Sequence, residues 1–174
     1  MDQIELSRAL EFSSEDLKAN RDGYMTKEQR KKLRNKGRRT AAMVGFYPGF
    51  ALLLFIDQTI LSRLNYSSEL IHALANFSEF FIAAIVWIIL ARAIIYQHFK
   101  TDLYKGKAEY IGGRVHLFSE NRGRRKFNYR LIISNQIFAI SEKISAAFDD
   151  GEFYGVYYAP KTKTILSAEK LGKI

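Results

Sequence analysis

The chain has no cysteine in its 174 residues, which excludes disulfides, thiolate metal sites, a cysteine nucleophile and c-type haem attachment. Histidine is nearly as scarce. His72, His98 and His116 fall in three separate regions with no HExxH or other paired-ligand spacing. Neither a GxSxG turn nor a phosphate-binding glycine loop is present. The sequence therefore offers no catalytic residue set, no metal site and no cofactor site, and a non-enzymatic protein is expected. Charge is missing from one region only. Residues 1–39 carry a net +4 and residues 100–174 a net +6, whereas residues 40–99 hold two basic and three acidic side chains in all. Five charges in sixty residues are too few for a water-facing surface.

Long apolar runs fill that poorly charged block. Thr40–Ile56 is uncharged, and Ala41–Leu61, with Asp57 near its far end, would reach about 31 Å as a helix. Phe80–His98, with Arg92 near its end, would reach about 28 Å. These lengths predict a two-helix transmembrane hairpin over 40–99 with an outside loop at 62–76. Cations crowd before the first run and follow the second, while the connection offers only Arg63 against Asp57, Glu69 and Glu79. The positive-inside rule then places the N and C termini in the cytoplasm, and no signal peptide is expected because the first run starts near residue 40. Gly45, Pro48 and Gly49 read as a kinked helix-packing face. Asp57, Glu79 and His98 are the residues an ion-conducting or pigment-binding oligomer would use. Asn65 and Asn76 stand in sequons of little weight beside the membrane.

Residues 1–39 read as a basic, helical amino-terminal arm. Ile4, Leu6, Leu10 and Phe12 are apolar enough to dock on a neighbour. Ser13 with Asp16, and Thr26 with Gln29, form two capping-box patterns, and Gly23 stops the helix between them. Lys18–Gln29 has the outline of an EF-hand loop, with Asn20, Asp22 and Gly23 in place. Lysine at the first ligand position and glutamine at the twelfth exclude calcium binding. Arg30, Lys31, Lys32, Arg34, Lys36, Arg38 and Arg39 make the second helix a surface for anionic lipid headgroups.

After Lys100 the apolar period becomes that of strands. Ala108–Ile111 and Arg114–Phe118 flank Gly112-Gly113, which is either a hairpin or a bend in one strand. Phe127–Ser134, Ile137–Ile140, a short helix capped by Ser141, and Phe153–Ala159 with Thr164–Ala168 follow. With a bend at the glycines the order is three strands, a helix and two strands, which predicts a small OB- or SH3-like β-barrel over 100–174. Its basic loop, Arg122, Arg124, Arg125 and Lys126, lies near Tyr110, Phe127 and Tyr129, a pattern that suits nucleic acid or anionic lipid.

Two stretches stand out, Tyr154–Glu169 (YGVYYAPKTKTILSAE) and Glu15–Gln29 (EDLKANRDGYMTKEQ). They resemble the last hairpin and the amino-terminal region of uncharacterised small bacterial two-span membrane proteins with a β-rich cytoplasmic tail. That resemblance covers about a quarter of the chain, implies a bacterial inner membrane, and brings no activity or site residues with it. The expected fold class is membrane α+β, a transmembrane helical hairpin followed by a small OB/SH3-like β-barrel. The expected function is that of a non-catalytic accessory or scaffold subunit, with membrane lipids and a membrane protein as partners. The alternative is a membrane-tethered module for nucleic acid or anionic lipid.

Overall fold

In the computed structural model, which describes residues 3–61, 69–121 and 127–172 without the side chains of 45–84, 121 and 127, the alternating tail forms one antiparallel sheet. In chain order the elements are α1 (Gln3–Leu10), α2 (Ser14–Arg21), α3 (Lys27–Leu61), α4 (Glu69–Lys105), β1 (Glu109–Asn121), β2 (Phe127–Ile133), β3 (Gln136–Ile140), α5 (Glu142–Ser145), β4 (Phe153–Ala159) and β5 (Thr164–Lys170). The sheet order is β3-β2-β1-β4-β5. Gly112 and Gly113 lie inside β1, which pairs with β4 through Glu109–Arg114 and with β2 through Val115–Asn121. One long strand thus serves two ribbons, and its glycines sit where the partner changes.

Strand alternation decides the two faces. Val115, Leu131, Ile133, Phe138, Tyr154, Val156 and Ala168 point to one side, where Leu6 and Phe12 of the arm and Ala147 and Phe148 after α5 complete the core. Aromatic pairs tie it together: Phe138 to Tyr158 at 5.1 Å and Phe148 to Tyr154 at 4.9 Å, both edge to face. Tyr110, Arg114, His116 and Phe118 of β1 point to the other side and are exposed.

The barrel expectation is corrected: the sheet is open, with β3 and β5 as its edges. Closure would need those two strands to pair, and helices cover one of them instead. α1 and α2 pack along β5. The side-chain amides of Gln3 and Gln29 donate to the carbonyls of Ala168 and Leu166, at 2.9 and 3.3 Å. Those two β5 carbonyls are therefore satisfied by side chains where a barrel would use a strand.

The membrane expectations are corrected as well. Among the described residues no helix is long and apolar enough to cross a membrane, which removes the two-span transmembrane hairpin, the integral bacterial inner-membrane location and the cytoplasmic placing of both termini. The first third of α3 is strongly charged, Lys27 to Arg39. In α4 the uninterrupted uncharged run is Phe80–Ala91, about 18 Å of helix before Arg92, against the roughly 30 Å a bilayer core requires. Gly37 lies inside α3. α3 continues through it, and the Phe99 ring lies so close that a Cβ on Gly37 would meet it at 2.9 Å.

Two units divide the chain, Met1–Leu33 with Thr101–Ile174 and Arg34–Lys100. In the first, the segment before α3 and the segment after α4 are stitched together. Tyr24 bridges Lys107, Met25 N–H donates to Gly106 at 2.7 Å, and Ala108 N–H donates to Gly23 at 2.9 Å. Gly106 has φ +58, and a Cβ there would run into the Arg30 guanidinium. The guanidinium can swing aside, but the left-handed backbone cannot relax. Gly106→Ala is expected to cost about 1–2 kcal/mol, read as a lower urea midpoint.

Candidate functional site

The two distinctive sequence stretches meet at one junction. The buried Asn20 at the end of α2 and the buried Gln29 in the first turn of α3 exchange two hydrogen bonds of 2.9 Å through their amides. Asn20 also donates to Tyr24 O at 2.9 Å and accepts from the Ser167 hydroxyl of β5 at 2.7 Å. Gln29 reaches Leu166 O and caps Thr26 N–H at 3.2 Å, while its own N–H donates to the Thr26 hydroxyl at 3.2 Å. Thr26 donates in turn to Asp16, whose other oxygen accepts from Ser13 N–H at 3.0 Å. Both capping boxes are therefore present and joined to each other. The twelfth position of the EF-hand outline is occupied by an amide bonded to the third.

Beside this cluster Arg21 pairs with Glu169, which also accepts from the Tyr157 hydroxyl at 2.8 Å. Burial, then the neighbouring Glu169 carboxylate, push the Tyr157 phenol up to about 12. Burial alone would raise Glu169, but the bonds from Arg21 and Tyr157 outweigh it and hold it below its usual range. A tyrosine this reluctant to ionise is unsuited to act as a base near neutral pH. A third polar joint lies at the end of α4. The buried Asp102 accepts from Lys161 N–H at 3.0 Å and Thr162 N–H at 2.8 Å, fixing the β4–β5 turn.

At the opposite end of the same strands, Asp149 accepts from Lys170 Nζ at 3.0 Å and from the Tyr154 hydroxyl at 3.2 Å. The hydrogen bond from Lys170 leads the causes that hold its carboxyl at about 2. A carboxyl depressed on folding stabilises the fold above its unfolded value near 4, and that contribution is lost as pH falls through about 2. Asp149→Asn is expected to flatten the stability curve between about pH 4 and pH 2, measured by urea denaturation at fixed pH.

The residues picked out by sequence are placed as follows. Arg30, Lys31, Lys32, Arg34, Lys36, Arg38 and Arg39 are all exposed on α3. Lys32 donates to the Glu11 carbonyl, and Arg30 lies over Gly106. Arg122, Arg124, Arg125 and Lys126 lie outside the described residues. Gly45, Pro48 and Gly49 fall in α3 where side chains are not described, and the side chains of Asp57, Asn65, His72, Asn76 and Glu79 are likewise outside the description. His98 is exposed on α4 and meets the Phe99 ring edge to face at 6.1 Å. Of the aromatics near the basic loop, Tyr110 is on the exposed face, whereas Tyr129 lies toward α5, where Glu142 faces its hydroxyl. Phe118, 52% exposed, shares the outer face with Tyr110. Strand alternation signalled it, since Phe118 follows Tyr110 at an even interval.

Among the described residues no three acidic or histidine side chains gather to hold a metal ion. The polar side chains at the junction are bonded to each other and to backbone, which makes it a joint between the arm and the sheet. No family model, curated protein or solved structure matches the chain.

Proposed function

We propose that the chain is a non-catalytic accessory or scaffold subunit that docks on a partner protein through the apolar surface of α4. One observation carries this reading. Between residues 85 and 96, Ile85, Val86, Trp87, Ile89, Leu90, Ile94 and Tyr96 are all 43–68% exposed. At about 100° per residue these seven positions spread over roughly 200° of the helix circumference. Their exposed area is roughly 800 Å², above the 300–600 Å² typical of the largest apolar patch on a lone protein in water. A helix that is apolar over so wide an arc is stable when enclosed on more than one side. The partner therefore supplies at least two helices or a deep groove. The joint at Asn20 and Gln29 supports the same reading, because its polar groups are committed to structure.

Trp87 is the only tryptophan and reports on the proposed surface directly. Tagged protein is purified gently from its native cells, and companions that persist through size exclusion are identified by mass spectrometry. The expected result is a polypeptide partner in fixed ratio, blue-shifted Trp87 emission in the complex, and loss of the partner in an Ile89→Glu, Ile94→Glu variant whose sheet unit melts unchanged. A protein that runs alone, or with lipid and no polypeptide, overturns the reading.

A further inference from the structure

The part of the outer face formed by β1 and β2 carries none of the joint's residues, and its chemistry is unlike that of an ordinary solvated surface. Along β1 the outward positions are Tyr110, Gly112, Arg114, His116 and Phe118. Register sets Phe153 opposite Arg114, Gly155 opposite Gly112, and Arg130 opposite Phe118. Tyr110 and Phe118 are 54% and 52% exposed.

The paired glycines are the informative feature. Gly112 and Gly155 face each other in mid-sheet, where glycine weakens a strand and often marks close approach by another group. A Cβ on Gly112 would meet the Tyr110 hydroxyl at 2.6 Å, and one on Gly155 would meet the Tyr110 ring at 2.8 Å. The ring is thus laid along the sheet over both glycines. It touches the sheet on one side, and its exposure leaves the other side to solvent. Tyr157 supports it at 5.1 Å between ring centroids. A supported, exposed ring suits a planar partner.

Charge on this face points to the partner's sign. Arg114 is held in place by donating Nε to Gly151 O at 2.8 Å and stays exposed, and Arg130 lies beside Phe118. Of the acids on the face, Glu169 is bound to Arg21 and Tyr157, and Glu120 lies 3.7 Å from Arg130. We propose that this face binds single-stranded nucleic acid, with bases stacked on Tyr110 and Phe118 and phosphates met by Arg114, His116 and Arg130. Aromatic rings interleaved with cations on an open sheet meet the two requirements of such binding, π-faces for bases and donors for the backbone.

The test is fluorescence anisotropy of a labelled twelve-nucleotide oligouridylate or oligothymidylate with the full chain. Binding is expected to weaken with salt at a log–log slope of about −1.4, for the two arginine–phosphate contacts. Phe118→Ala, at an exposed position, is expected to weaken it about 5- to 100-fold while Phe118→Tyr preserves it. Glu120→Gln is expected to tighten binding by freeing Arg130. Absence of binding overturns the proposal. So does binding that survives Phe118→Ala but is lost when Arg122, Arg124, Arg125 and Lys126 become alanine. Equal affinity for heparin, a polyanion without bases, overturns it too.

Discussion

Asn20→Ala is expected to lower the unfolding free energy by about 3 kcal/mol. Asn20 is 1% exposed and holds four hydrogen-bonded groups together: Tyr24 O, both ends of the Gln29 amide, and the Ser167 hydroxyl. Alanine removes the acceptor of Ser167 and of one Gln29 donor, and leaves Tyr24 O without its side-chain donor. Each buried group left unsatisfied costs about 1–3 kcal/mol, and water entering the space recovers part of that. Urea denaturation followed by far-ultraviolet circular dichroism measures the loss. Trypsin cleavage at Arg21 should accelerate in parallel, because the arm is released from β5. Lys18→Ala, at an exposed position of the same helix, is the control and should stay within about 0.5 kcal/mol of the parent. An unchanged urea midpoint in Asn20→Ala would falsify the view that this joint fastens the arm.

The reasons why some of this was legible in the sequence and some was not are local and specific. Caps were legible because they act over three residues: Ser13 with Asp16, Thr26 with Gln29, and Ser141 all cap helices. The strands were legible from alternation, and β1 through β5 match the expected segments to within a few residues. Closure was not legible. Whether five strands form a barrel depends on what covers β5, and that is decided by Gln3 and Gln29, more than 130 residues away in sequence. The joint was half legible. Both of its stretches stood out, but nothing local shows that Asn20 will bond Ser167. The EF-hand outline drew attention to the right residues for the wrong ligand, because an amide pair and a metal both need polar side chains converging from the two ends of one loop.

Leu6→Ala is expected to cost about 2–5 kcal/mol, although it lies in an eight-residue helix near the chain terminus. Leu6 is fully buried within the same cluster as Val115, Leu131, Ile133 and Phe138. A helix this short is not stable alone in water, so α1 is held by what it buries. Removing the Leu6 side chain leaves a cavity and also loosens Gln3 from the Ala168 carbonyl. The edge of β5 is then uncovered, and an uncovered edge strand pairs with other chains. Two readouts should therefore change together, a lower urea midpoint and a concentration-dependent rise in light scattering on warming. Ile4→Ala, 66% exposed on the same helix, should change neither. A loss below about 1 kcal/mol for Leu6→Ala would detach α1 from the core.

The stitch between Met25 and Gly106 also determines how freely the protein can vary. The chain departs at Met25 and returns at Gly106 with the two points hydrogen-bonded, so everything between them is an excursion from a host that closes at its base. Bringing the ends of a flexible excursion together costs only about 0.6 kcal/mol more each time its length doubles. The sheet is thus nearly indifferent to how long that excursion is, provided the residues at its two stems, Gln29 on one side and Asp102 on the other, are kept. Lengthening, shortening or exchanging the intervening helices is open to evolution and to engineering at little thermodynamic cost to the host.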